Sequence, residues 1–221
     1  MQISAETAHL IVFGRYPRVG TTKTRLIPVL GPAGAATFQK RLTEKTVATA
    51  REVSERIGAR LVFHHEGGTV RQLRRWLGGS GIRFAPQPAG DLGRRMHLSI
   101  KRSFEDGAHR VVLIGTDVPE LTAPFLEQAF DALLEKELVF GPSTDGGYWL
   151  VGMTRPENLF TGIVWSRSDV LEKSLDLVRR KGMTAHMLAP LSDVDTPDDL
   201  AGADPGRWTP LQRWSAEKSE S

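Results

Sequence analysis

The 221-residue chain contains no cysteine. That excludes disulfides, cysteine nucleophiles and thiolate metal sites, and it suits a reducing compartment. Long apolar runs are also missing, and nothing approaches the roughly 18 residues that a membrane helix needs. The opening residues, Met1-Gln-Ile-Ser-Ala-Glu-Thr7, have neither the basic start nor the apolar stretch of a secretory signal. A cytoplasmic protein with no membrane partner is the expectation. The six histidines show no HxH or HxxxH spacing, which argues against zinc. Excess charge of one sign is small, at +3. The basic clusters Arg71/Arg74/Arg75, Arg94/Arg95 and Arg179/Arg180/Lys181 fall in helix-like segments and read as solvated faces. No nucleic-acid-binding motif accompanies them, so no nucleic-acid partner is expected.

What is present is ordinary for a globular chain, with 40% hydrophobic and 25% charged residues. The length suffices for one large α/β domain. Apolar runs at His9–Phe13, Arg60–His65, Ile82–Ala85, Arg110–Ile114, Leu138–Phe140, Tyr148–Met153 and Thr184–Leu188 read as strands. Between them lie helical patterns. The longest runs from Gly31-Pro32 to Gly58, with Phe38, Leu42, Thr46, Ala50, Val53 and Ile57 at three- and four-residue spacing. Further helices are expected over Thr69–Leu77, from about Leu92 to Asp106, from Thr122 to about Lys136 and from Ser168 to about Lys181. Thr196-Pro197 reads as an N-cap followed by proline at the first helical position. This alternation predicts a single-domain α/β protein, with a mostly parallel central sheet covered by helices on both faces. The domain is expected over residues 1–205, followed by a frayed tail over 206–221.

Loops at strand ends carry the candidate chemistry. Gly115-Thr-Asp117 follows a strand buried on both faces, and ligands of open α/β sheets bind outside the carboxyl ends of strands. Asp117 there holds a cation or a ligand hydroxyl, or it caps the following turn. Mg²⁺ commonly takes only one or two protein carboxylates, so a single Asp beside a phosphate loop is a workable metal site. The loop Gly14-Arg-Tyr-Pro-Arg-Val-Gly-Thr-Thr-Lys-Thr-Arg25 follows the first strand. Its glycines open the backbone to an anion, and Lys23 and Arg25 supply positive charge. It is not a P-loop, since five residues separate Gly14 from Gly20 and two threonines precede Lys23. A dinucleotide fingerprint is absent as well. Asp91 in Pro86–Met96 is explained by capping the next helix, and Gln87 is placed to meet a base edge. Adjacent His64 and His65 point to opposite faces of a strand and read as structural. In the last part of the chain, Asp198 and Asp199 fit a helix N-terminus, whereas Asp193 and Asp195 are less easily explained that way.

Five motifs occur in order: Val12–Leu26, Gln87–Met96, Gly115–Leu121, Gly141-Pro-Ser-Thr-Asp-Gly-Gly-Tyr-Trp-Leu150 and Asp193–Leu200. Together they resemble the bacterial glycosyltransferase-A-like proteins of the radical-SAM/selenodomain-associated or arsenosugar-biosynthesis type, over roughly residues 9 to 200. More distant kin are the 2-phospholactate and molybdenum-cofactor nucleotidyltransferases. The resemblance implies a nucleotide-diphospho-sugar transferase fold and a transferase that needs Mg²⁺ or Mn²⁺. Its substrates would be a nucleotide or nucleotide-sugar donor and a small-molecule acceptor. Gly14, Arg15, Gly20, Lys23, Thr24 and Arg25 would meet the phosphates, with Gln87 and Asp91 also on the nucleotide side. Asp117 would bind the metal, with Asp195 as second ligand. Gly146, Gly147, Tyr148 and Trp165 would line the sugar or acceptor pocket, where Asp145 would orient or deprotonate an acceptor hydroxyl. The chain departs from this pattern in two places. One carboxylate, Asp117, stands where Asp-x-Asp is frequent, and Arg167 follows Trp165-Ser166 where threonine is usual. Glycosyl transfer is the first expectation, with nucleotidyl transfer or nucleotide binding without turnover as the alternatives.

Overall fold

Strands and helices alternate from Ala8 to Gly202, apart from two consecutive strands over Leu138–Met153, in the computed structural model, which describes residues 7–165 and 167–202. The tail expected over 206–221 lies outside the described residues. Seven strands form one sheet in the order β3-β2-β1-β4-β6-β5-β7. These are β1 Ala8–Arg15, β2 Arg60–Glu66, β3 Ile82–Pro86, β4 Arg110–Ile114, β5 Leu138–Pro142, β6 Tyr148–Met153 and β7 Ala185–Met187. Every pairing is parallel except those of β6, which runs antiparallel to both β4 and β5. The expected mostly parallel sheet is therefore present. Its antiparallel strand is a consequence of the tight Ser143–Gly147 turn, which returns the chain directly instead of through a crossover helix.

Strand alternation sorts the core into two layers. Leu10 and Val12 of β1 face a cluster closed by α1 (Ile27–Ile57), α2 (Val70–Leu77) and α4 (Ala123–Ala132). Ile11 and Phe13 face the opposite cluster, under α3 (Leu92–Glu105) and α5 (Val170–Arg180). Helices thus cover both faces. Each fully buried Leu or Ile contributes roughly 1.5–3 kcal/mol. The long helix breaks at Gly31, whose φ of 68° and ψ of 166° are not helical, so its continuous part starts at Pro32. This matches the start read from the sequence. Thr69 and Gln72 form the capping box that opens α2.

A third cluster joins Leu26, Ala35, Phe38 and Leu42 to Val194. It fastens the start of α1 to the segment after β7, and this contact shapes the site. The sheet reverses order between β1 and β4, so the crevice for a ligand opens there, beyond the carboxyl ends of both strands.

His64 of β2 is buried, with its Nδ1 3.1 Å from Ser99 Oγ. Burial, with the Arg102 and Arg83 charges next, holds its pKa down to about 4 against an ordinary 6.5. The unfolded chain takes up this proton below pH 6.5, while the folded chain refuses it until about pH 4. The contribution to stability is therefore full above pH 6.5 and is lost as pH falls toward 4, by roughly 3 kcal/mol in total. A His64→Asn variant should show a shallower fall of melting temperature between pH 6.5 and 4. An unchanged slope would contradict this assignment.

Candidate functional site

A cavity of about 550 Å³ opens at the carboxyl edge, and the loops after β1, β3, β4 and β7, with the β5–β6 turn, all reach it. Asp117 lines it, three residues beyond β4. Its neighbour Thr116 is buried and accepts a 3.0 Å hydrogen bond from Gln39 Nε2 of α1. Lys45, also of α1, donates to the carbonyl of Pro119. Buried Gln39 and exposed Lys45 of one helix thereby fix the backbone that presents Asp117.

The β1–α1 loop is held by a tight turn in which Thr22 Oγ1 accepts from Arg18 N at 2.8 Å, with Gly20 at φ 81°. Gly20 shapes the turn and does not line the cavity. Lys23 follows with φ 48°, the only non-glycine positive φ among the described residues. Such a conformation costs an ordinary side chain on the order of 1 kcal/mol, and it persists where the surroundings over-determine it. Here they do. The Lys23 side chain is 6% exposed, and its ammonium is 2.9 Å from Asp117 Oδ1, bonded to Asp195 Oδ1 and 2.7 Å from the Val194 carbonyl. Burial pulls the Lys23 pKa down, but the charges of Asp117 and Asp195 and their hydrogen bonds outweigh it and hold it above the ordinary lysine value. Thr24 and Arg25 continue along the cavity wall, and among the described residues nothing bonds the Arg25 side chain.

Asp195 reaches this point because Val194 N donates to the Asp117 carbonyl at 3.0 Å while the Val194 side chain is buried against Leu26 and Phe38. The next residues form a cap. Asp199 Oδ2 accepts from Thr196 N at 2.7 Å and from Asp195 N at 3.0 Å, opening α6 (Pro197–Gly202). Asp193 faces the β5–β6 turn instead. Burial, with the Asp145 charge next, pushes its pKa up to about 6.

That turn carries Asp145, whose Oδ1 accepts from Gly147 N at 2.9 Å. Gly146 has φ 88°, and a Cβ there would lie 2.0 Å from the Ser168 carbonyl oxygen, so only glycine lets the turn seat against the start of α5. Gly146 does not line the cavity, whereas Gly147, Tyr148 and Trp165 do. Tyr148 meets Trp165 edge-on at 6.3 Å and Phe140 at 5.4 Å, making an aromatic wall opposite the β1 loop. Gly93 of α3 carries no side chain because a Cβ would stand 2.7 Å from the Trp165 ring.

On the β1–β3 side, Gly14 and Arg15 belong to the end of β1, which runs two residues past the loop start read from the sequence. Gln87 lines the cavity, but its Nε2 is occupied by the carbonyls of His64 at 3.2 Å and Gly14 at 3.3 Å. Asp91 caps α3 through a 2.8 Å bond from Arg94 N and lies outside the cavity lining. Arg95, read from sequence as part of a solvated face, turns instead toward the cavity and is 24% exposed. Sequence reasoning also missed Gln39 and Glu66. Gln39 carries a signal, as a polar residue in the apolar stripe of a long helix. Glu66 carries none beyond its place at a strand end.

Among the described residues, no three His, Cys, Asp or Glu side chains gather closely enough to enclose a metal alone. Asp117 and Asp195 make a pair that shares one cation, about half exposed on the cavity side. No helix in the described residues is long and apolar enough to cross a membrane.

Comparison with known proteins agrees with this architecture. A protein from Desulfovibrio desulfuricans G20, provisionally named a nucleotide-diphospho-sugar transferase, has a crystal structure 32% identical to this chain, with a TM-score of 0.79 over 89% of this chain and 85% of its own. A phosphoenolpyruvate guanylyltransferase of Chloroflexus aggregans is 27% identical over 127 residues, 57% of this chain; the chain spans about three fifths (61%) of that relative's length. The 4-diphosphocytidyl-2C-methyl-D-erythritol synthase of Anaerococcus prevotii shares the fold, at a TM-score of 0.59 and 9% identity. The fold is that of the nucleotide-diphospho-sugar transferases. A family model described as "uncharacterized protein conserved in bacteria", DUF2064, matches residues 38–167, and the chain belongs to that family.

Proposed function

We propose that the protein is a transferase that acts on a nucleotide with the help of Mg²⁺ or Mn²⁺, and that nucleotidyl transfer is the reaction its site supports best. One observation carries the reading. Asp117 and Asp195, from loops far apart in sequence, converge on the Lys23 ammonium beside the β1–β4 crevice. The pair fits a hard divalent cation, which takes one or two carboxylates and fills its remaining positions with water and substrate phosphates. A cation bound there would act as a Lewis acid on the phosphate oxygens. Asp117 and Asp195 would hold it. Lys23 and Arg25, with the backbone of the Gly14–Arg25 loop, would orient the phosphates and neutralise the charge that develops on the leaving group.

In nucleotidyl transfer an acceptor oxygen attacks the α-phosphorus. One P–O bond forms, the α–β anhydride breaks, and pyrophosphate leaves. A phosphorylated acceptor attacks through an oxyanion, so no proton need move, and Asp145 would then only orient it. The single carboxylate at Thr116-Asp117-Val118, completed by Asp195 instead of a second Asp two residues away, favours this reading, as does the similarity to the guanylyltransferase.

The aromatic wall of Tyr148 and Trp165 beside Asp145 favours a second reading, nucleotide-sugar glycosyl transfer. This is the activity of the arsenosugar-type glycosyltransferases the sequence resembles. There the bond from sugar C1 to the diphosphate breaks, an acceptor oxygen bonds to C1, and Asp145 takes the hydroxyl proton.

Product analysis separates the two. With nucleoside triphosphates and phosphoenolpyruvate as a probe acceptor, release of pyrophosphate supports nucleotidyl transfer. Release of nucleoside diphosphate from nucleotide sugars, without pyrophosphate from triphosphates, supports glycosyl transfer.

A further inference from the structure

The half of the cavity bounded by β1, β2 and β3 holds a carboxylate that the transfer does not use. Glu66, the last residue of β2, is the only acidic side chain among the described residues lining that half. The four aspartates of the cavity all come from beyond β4, β5 and β7.

Glu66 is aimed by its neighbours. Its Oε2 accepts from Arg15 at 3.0 Å and from Arg95 at 3.4 Å. Arg95 is itself held by Gln87 Oε1 at 2.8 Å, and Gln87 is tied to the ends of β1 and β2. Both guanidinium groups bond the same oxygen, and among the described residues nothing bonds Oε1. The side chain remains 46% exposed. Leu92 of α3, three residues before Arg95, also lines the cavity and is 37% exposed, so apolar surface is available to a planar ring. The phosphate loop leaves β1 next door, so a nucleotide with its phosphates at Lys23 can extend toward β2 and β3.

We infer that Glu66 reads the base of the nucleotide and that the base is guanine. The inference rests on the nucleotide site proposed above. An ionised carboxylate only accepts hydrogen bonds. Guanine offers it two adjacent donors, N1–H and the N2 amino group, and such charge-assisted pairs are strong. Adenine and cytosine present a ring-nitrogen lone pair at the matching position. Uracil presents one N–H flanked by two carbonyls, which oppose the carboxylate oxygens. A site built to bond two donors rejects bases that lack them, because its own polar atoms are then left unpaired.

Calorimetric titration of the full chain with GDP, ADP, CDP and UDP, each with Mn²⁺, tests this. GDP should bind at least about tenfold more tightly than the others. Glu66→Gln should weaken GDP by roughly ten- to a hundredfold, leave ADP and CDP unchanged, and leave inorganic pyrophosphate binding unchanged. Tightest binding of ADP, CDP or UDP to the wild-type chain, or equal binding of all four, overturns the guanine assignment alone. A GDP preference that persists in Glu66→Gln overturns the role of Glu66. Binding of none of the four overturns the nucleotide reading itself and this inference with it.

Discussion

Asp117→Asn is expected to abolish metal-dependent nucleotide binding and to lower turnover by on the order of a thousandfold, the scale on which losing one electrostatic contact to developing charge acts. The substitution keeps the shape of the side chain. It leaves intact the Asp117 carbonyl that receives Val194 N, and Lys23 keeps Asp195 and the Val194 carbonyl as partners. The fold should therefore survive, with a melting temperature within about 3 °C of the parent. What disappears is half of the charge available to a divalent cation. Calorimetry with Mn²⁺ present and absent reads the effect. The parent should bind a nucleoside triphosphate far more tightly with the metal, whereas the variant should show the same weak affinity in both conditions. Retained metal dependence in Asp117→Asn would remove Asp117 from the metal role.

Lys23→Met is expected to act in two opposite directions. The ammonium now neutralises both carboxylates from a buried position. A unit charge a few ångströms away, near a protein surface, interacts by several kcal/mol before solvation is subtracted. While Lys23 sits there, a free divalent cation meets carboxylates that are already paired. Removing the ammonium leaves Asp117 and Asp195 repelling each other and ready for a cation. Affinity for Mn²⁺ without nucleotide should rise by tenfold or more, while affinity for a nucleoside triphosphate should fall at least tenfold for lack of a phosphate partner. Electron paramagnetic resonance of free Mn²⁺ measures the first effect and calorimetry the second. Weaker nucleotide binding with unchanged Mn²⁺ affinity would show that Lys23 does not hold the metal position in the ligand-free protein. A corollary is that metal enters with the nucleotide, as its phosphates draw the ammonium away from the carboxylates.

Much of this was legible in the sequence, for a local reason. Strand and helix periodicities lie within a few residues, so seven strands and the long helix emerged close to their observed bounds. The Gly31 break and the Thr196-Pro197 cap were readable because glycine and a capping hydroxyl act on adjacent backbone. Asp117 stood out because a carboxylate just beyond a doubly buried strand has no place in a core. The partnerships were not legible. Lys23 and Asp195 lie 172 residues apart and meet only because Val194 packs on the start of α1. Glu66, Arg95 and Gln87 come from three elements whose ends align only once β1, β2 and β3 pair in register. The antiparallel course of β6 depends on one turn, which composition alone does not direct.

The most direct test of a metal-assisted nucleotide site at the carboxyl edge is a thermal-shift titration of the wild-type chain with GTP, ATP, CTP, UTP and UDP-glucose, each with and without Mn²⁺. A ligand that binds only the native state raises the melting temperature. At least one of these nucleotides should raise it markedly with Mn²⁺ and little without. Equal shifts in both conditions, or no shift with any of the five, would contradict the account.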